Sequence, residues 1–232
     1  MKKLSIIIPV YNEQETIKKI LGLIEQVDLG EIEKEIIIVD DYSTDGTRET
    51  IKEFEGKYKI IYQSENMGKG TALRSGFAQV TGDIIIIQDA DLEYDPREYI
   101  RVIKPILDGR ADVVYGSRFV GSEPHRVLFF WHYQANKFLT WLSNMLGNLT
   151  LTDMETCYKA FSREALDKIK DKLTAKRFGI EPEITALIAR HKFRIYEVGI
   201  SYYGRTYNEG KKINWRDGLA AVYHIVKYNL FK

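Results

Sequence analysis

Apolar residues fall along the chain in short runs at two different spacings. Leu4 to Val10, Glu35 to Val39, Lys59 to Tyr62 and Ile84 to Ile87 are brief and mostly β-branched, the pattern of strands covered on both faces in a parallel α/β sheet. Between them the spacing turns helical. Ile17, Ile20, Leu21 and Ile24 predict a helix over Thr16 to Val27, and a second helix runs through Ile51 and Phe54 behind the cap Ser43-Thr44-Asp45-Gly46-Thr47. A third opens at Asn66-Met67-Gly68-Lys69-Gly70 and continues through Leu73, Gly76, Phe77 and Val80. Farther on, Ile184, Leu187 and Ile188 mark a helix, Phe193 to Gly199 a late strand, and Trp215 to Phe231 a final helix with Leu219, Val222, Tyr223, Val226 and Leu230 on one face.

Polar groups gather where the strands end. After Ile87 come Asp89, Asp91 and Glu93 at alternate positions, on the sheet edge where open α/β folds bind ligands. Three carboxylates on a short irregular turn suit one Mg²⁺ or Mn²⁺ rather than zinc; the bland alternative is a solvated acidic loop. The second strand ends in Asp40-Asp41, placed to accept hydrogen bonds from a ribose or base, or else to sit solvated beside the next helix. No Gly-x-Gly-x-x-Gly follows the first strand, which argues against a nicotinamide enzyme. Gly68 lets backbone amides approach an anion at a helix start and Lys69 adds a charge, although the Walker pattern is not met.

In 232 residues, 34 Lys and Arg face 33 Asp and Glu, so composition gives no support to nucleic-acid binding. One cysteine, Cys157, permits no internal disulfide and reads as a small core residue; with no signal sequence after Met-Lys-Lys, a cytoplasmic chain is expected. No apolar run approaches the roughly 20 residues of a spanning helix, so any membrane contact is peripheral. No histidine has a partner at zinc-ligand spacing.

The ordered segments SIIIPVYNEQETI, IIIVDDYSTDGT, NMGKGTALRSGF, IIIIQDADLEYDP and VVYGSRF together resemble inverting nucleotide-sugar glycosyltransferases of family 2 over roughly the first 120 residues. Within that family the likeness is to polyprenyl-phosphate sugar synthases such as dolichyl-phosphate mannose synthase. The resemblance implies a GT-A fold: a Rossmann-like, mixed, mainly parallel sheet flanked by helices. One domain would span 1–232, with a nucleotide-sugar-binding half over 1–120 and an acceptor half over 121–232. Pro9, Tyr11, Glu13 and Asp40 then look like base and ribose contacts. Asp89 and Asp91 look like the Asp-x-Asp pair, with Asp91 nearest the metal and Glu93 as third ligand. Arg118 resembles an arginine lining a phosphate pocket, its alternative being a salt bridge at a strand end. Asp153 is a candidate carboxylate facing the acceptor. Glu181 and Glu183 stand where relatives carry an acidic pair, or simply charge a helix N-terminus.

Two stretches of the second half bear on the acceptor. Val127 to Trp131 with Phe138, Leu139, Trp141, Leu142, Met145 and Leu146 reads either as a core helix or as an interfacial segment, His125, Arg126, His132 and Lys137 meeting lipid phosphate. Tyr202 to Ile213 has no apolar periodicity and reads as a loop, with Arg205, Lys211 and Lys212 set to close on a diphosphate or to remain solvated.

The expected activity is metal-dependent transfer of a hexosyl group, from a GDP-mannose or UDP-glucose type of donor to a polyprenyl phosphate, at the cytoplasmic membrane face. A homo-oligomer or a membrane-protein partner stays open. The nearest alternative is a family 2 transferase with a hydroxyl acceptor, which needs a base such as Asp153 or Glu183. A more remote one is a receiver-like signalling domain, about half this length.

Overall fold

The computed structural model describes residues 2–121, 123–127, 129–206, 209 and 215–231, the side chains of 215 and 216 excepted. The apolar runs become strands β1 (Lys3–Val10), β2 (Glu33–Asp40), β3 (Lys59–Tyr62) and β4 (Ile84–Ile87), followed by β5 (Val113–Ser117), β6 (Lys159–Ser162) and β7 (Ile195–Gly199). The intervening helices are α1 (Ile17–Gln26), α2 (Thr47–Lys52), α3 (Lys69–Phe77), α4 (Tyr99–Leu107), α5 (Phe130–Gly147), α6 (Arg163–Ile169), α7 (Ile180–Arg190) and α8 (Trp215–Leu230).

The strands form one sheet in the order β3-β2-β1-β4-β6-β5-β7. Only β6 runs antiparallel, against both β4 and β5. Alternation sends each run's side chains to both faces. Ile7, Ile37, Val39, Ile85 and Ile87 pack beneath α3, α5, α6, α7 and α8, and Leu4, Ile6, Ile8, Ile36, Ile38, Ile84 and Ile86 pack against α1, α2 and α4. Each such side chain, taken from water, contributes roughly 1.5–3 kcal/mol, which fixes register because a one-residue slip exchanges the faces. From β1 the chain builds outward through β2 and β3, and β4 then enters on β1's other side. That reversal opens a crevice at the C-terminal ends of β1 and β4.

Helix boundaries moved inward from those read in the sequence: α2 stops at Lys52, with Phe54 beyond it stacked on Tyr58, and α3 stops at Phe77. For α5, read either as a core helix or as an interfacial segment, the structure shows one buried stripe and one exposed face. The helix buries Leu139, Thr140 and Ser143, while Phe130, Trp131, Phe138, Trp141 and Met145 stay exposed. α5 packs on α7 and α8, and among the described residues Asn144 also bonds Leu151 while Tyr133 meets Phe119 edge-on. The inward stripe of α8 is Ala221, Ile225 and Tyr228, at i, i+4 and i+7, and Leu219, Tyr223 and Leu230 face outward. Among the described residues no helix is long and apolar enough to cross a membrane.

Candidate active site

Three loops meet at the crevice: Tyr11–Glu13 after β1, Asp40–Tyr42 at the end of β2 and Asp89–Glu93 after β4. Each holds one non-glycine residue in the left-handed region, Asn12 (φ 52°), Tyr42 (φ 66°) and Leu92 (φ 65°). Such conformations cost about 1–3 kcal/mol each and persist only where neighbours over-determine them. Here the first two loops are laced together: Asn12 N donates to Ser43 Oγ (3.0 Å), Thr44 N to Asn12 Oδ1 (2.8 Å) and Glu13 N to Thr47 Oγ1 (2.9 Å). Tyr11 and Tyr42 remain exposed beside Pro9, which sits half-buried in β1 opposite Val39. Tyr42 was missed in the sequence, because a left-handed tyrosine leaves no glycine to signal it.

The acidic turn is bracketed by two cations. Lys69 Nζ lies 2.7 Å from Asp89 Oδ1. Although burial works against the charged carboxylate, Lys69 prevails and holds Asp89 below the usual range. Asp91 is the opposite case: burial, then Asp89 and Glu93, push it up to about 7 despite Arg205. The Arg205 guanidinium sits 2.8 Å from Asp91 Oδ2 and 3.2 Å from Glu13 Oε1. Glu93 holds the 202–205 segment in place, accepting from Tyr202 Oη and Arg205 N, each at 2.8 Å, while its carbonyl accepts from Tyr203 N.

Among the described residues no three His, Cys, Asp or Glu side chains are already grouped around one point as metal ligands. The chemistry of the donor set nonetheless fits a hard divalent cation. Glu13, Asp89, Asp91 and Glu93 supply only oxygen, and Asp91 Oδ2 is met by the Arg205 guanidinium where a cation would sit.

Other expected site residues face inward. Asp40 is fully buried and accepts from Arg48 Nε (2.8 Å) and Ser43 N. Asp41 accepts from Met67 N and Gly68 N, both at 2.8 Å, so those amides bind an internal anion. A Cβ on Gly68 would stand 2.6 Å from the Lys176 carbonyl oxygen, and one on Gly70 would stand 2.4 Å from that of Ala175. The glycines thus serve close packing of α3 on the 175–177 backbone. Arg118 and the fully buried Asp153 form a two-pronged pair, Nε to Oδ2 at 2.6 Å and Nη2 to Oδ1 at 2.7 Å, and Arg118 N donates to Oδ2 as well. The Arg118 guanidinium also lies 5.2 Å from the Tyr202 ring centroid. Asp153 therefore offers no open oxygen and positions Arg118. Lys211 lies outside the described residues.

The acceptor half holds charges that sequence reasoning missed. Lys159 is fully buried against Glu181, and Glu181 Oε1 lies 3.8 Å from Lys69 Nζ. Neither glutamate is a solvated helix-start charge, since Glu183 accepts from Thr174 N and Ala175 N. Glu155 keeps a buried Oε1 without a partner, and burial with Glu181 beside it pushes its carboxyl up to about 7. Burial and Asp89 raise the Cys157 thiol well above its ordinary value although Lys69 Nζ is 2.8 Å away. It is a poor nucleophile.

A mixed, mainly parallel sheet flanked by helices, with a polar crevice at its switch point, is the arrangement of the GT-A fold. Structural similarity supports that fold: glucosyl-3-phosphoglycerate synthase from Mycobacterium tuberculosis, solved with Mn²⁺, UDP and phosphoglyceric acid, superposes with a TM-score of 0.74 at 20% identity. The match covers 100% of this chain and 80% of that one. Residues 5–170 match glycosyl transferase family 2, and the chain belongs to that family. It is a glycosyltransferase. The UDP-N-acetylglucosamine–dolichyl-phosphate N-acetylglucosaminyltransferase of Methanococcus voltae is 27% identical over 100% of this chain and 98% of its own length. The dolichol-phosphate mannosyltransferase of Pyrococcus furiosus is 37% identical over 51% of this chain, which corresponds to 34% of that larger protein.

Proposed function

We propose that this chain transfers a hexosyl group, with inversion, from a nucleoside diphosphate sugar to a polyprenyl phosphate. The observation that carries the lipid part is the outward face of α5. It presents Phe130, Trp131, Phe138 and Trp141 to solvent, contains Lys137 and includes no acidic residue, a composition suited to the headgroup region of a bilayer. The two dolichyl-phosphate relatives support the same acceptor class.

An acceptor phosphate oxygen attacks the anomeric carbon as the bond from that carbon to the diphosphate breaks, and the nucleoside diphosphate leaves with the electron pair. Asp91 with Asp89 would hold Mg²⁺ or Mn²⁺, which when bound would supply positive charge for the leaving diphosphate. Tyr11, Tyr42 and Pro9 offer the surface for base and ribose. Arg118, fixed by Asp153 and Tyr202, faces the acceptor phosphate, and Arg205 is within reach of the diphosphate. That phosphate is already anionic near pH 7, so the step requires no side chain to take a proton.

A second reading rests on Glu155. A hydroxyl acceptor has to lose its proton, and the buried Glu155 Oε1, which makes no hydrogen bond, is the carboxylate oxygen left open to take it. Release of nucleoside diphosphate from a donor panel tests the main reading: it should depend on polyprenyl phosphate and stop with EDTA. Release supported only by a hydroxyl acceptor would favour the second. Binding to the bilayer is tested by flotation with anionic vesicles. Replacing Phe130, Trp131 and Trp141 by Ser should lower the floated fraction roughly tenfold or more, each lost ring removing a kilocalorie-scale anchor. Unchanged flotation would assign the face to another partner.

A further inference from the structure

We infer that Arg205 is a built-in counter-cation that occupies the metal side of Asp91 until a divalent ion displaces it. The inference rests on the transferase reading above. Its basis is how the guanidinium is held. Nη2 reaches Asp91 Oδ2 at 2.8 Å and Glu13 Oε1 at 3.2 Å, while Nη1 reaches Glu13 Oε2 at 3.2 Å. The third donor fares worse: Nε is buried, stands 3.5 Å from Glu93 Oε1 and makes no hydrogen bond. The guanidinium thus grips Glu13 with a matched but long pair of bonds and gives Asp91 only one, so a divalent ion has a single bond to displace at Asp91.

The backbone beneath it is held independently. Arg205 N and Tyr202 Oη both bond the Glu93 carboxylate, Tyr203 N bonds the Glu93 carbonyl, and Arg126 donates to Gly204 O (3.1 Å) and Glu209 (2.7 Å). Departure of the guanidinium from Asp91 therefore needs only side-chain rotation, and the charge stays tethered at the mouth of the site. A divalent ion alone must compete with it. An ion arriving with a diphosphate gives the guanidinium a new anion to bind, so metal and donor bind together more favourably than either alone. Glu93 acts in this arrangement as the tether of the segment, leaving Asp91 and Asp89 as the oxygens a metal gains.

The test is a titration of the protein with Mn²⁺ alone, read by the free-ion electron paramagnetic resonance signal, with no donor or acceptor present. Arg205→Met should bind Mn²⁺ about tenfold more tightly than wild type, since one unit charge a few ångströms away is removed from a partly buried site. Adding Asp91→Asn to that variant should abolish the gain. Equal or weaker Mn²⁺ binding by Arg205→Met, or a gain that survives Asp91→Asn, overturns the inference. Should Arg205→Met fold poorly, wild-type protein provides the second measurement: Mg²⁺ alone should shift the Arg205 Nε–Hε resonance, assigned by its absence in Arg205→Lys. An unmoved resonance while Mg²⁺ binds also overturns it. Failure of the transferase reading would show as no turnover with any donor and acceptor, and would leave these titrations untouched.

Discussion

Asp91→Ala is expected to lower transfer by roughly 10³-fold, on the scale of removing a preorganised charge contact together with the metal it holds. Folding should be unharmed. Burial, with Asp89 and Glu93 beside it, raises the Asp91 carboxyl to about 7, so alanine relieves repulsion at the cost of the contact to Arg205 and the bond accepted from Glu93 N. The measurement is kcat with saturating donor beside Tm for the same preparation. Asp89→Ala should weaken donor binding as well as rate, because it also frees Lys69. Near wild-type turnover in Asp91→Ala, with EDTA harmless, would remove the metal from the account.

Asp153→Ala should be the most destabilising of the site substitutions. Asp153 is fully buried and both its oxygens bind Arg118, whose side chain is only 15% exposed. Stripping one partner from a buried pair leaves an uncompensated charge and costs about 3–5 kcal/mol. For a chain of this size that corresponds to a fall in Tm on the order of 10 °C. Arg118→Ala should cost a similar amount, and the double variant less than the sum, since neither charge is then stranded. A Tm within about 2 °C of wild type for Asp153→Ala would mean that the pair is open to water. The same change should lower activity by releasing Arg118, so an Asp153 variant inactive at full stability would return Asp153 to a direct role in the reaction.

The sheet was legible because its strands carry unbroken runs of Ile and Val that have to be covered on both faces. The acidic turn was legible because three carboxylates follow directly on one such run. What the sequence left unresolved lies in pairings across long separations. Arg118 and Asp153 stand 35 residues apart, Lys69 and Asp89 20 apart, and Arg205 and Glu13 192 apart. No local pattern distinguishes a carboxylate awaiting a ligand from one already holding a guanidinium. The direction of α5 was hidden for a related reason: its large apolar residues, aromatic and Leu together, extend over most of its circumference, and the positions of α7 and α8 decide which stripe is buried. Asp40, Asp41 and Gly68 were read toward a ligand because they end or begin elements at the right edge, yet their hydrogen bonds and packing go to the protein itself.

The acceptor is the central claim, and one comparison tests it most directly. Purified protein, Mn²⁺ and a donor that supports turnover are incubated with vesicles carrying either polyprenyl phosphate or the same polyprenol without its phosphate, and the lipid product is identified by mass. The account predicts a hexosyl phosphodiester from the phosphate alone, lost in Asp91→Ala. Glycosylated polyprenol, or transfer to a soluble hydroxyl compound with polyprenyl phosphate left unused, would contradict it.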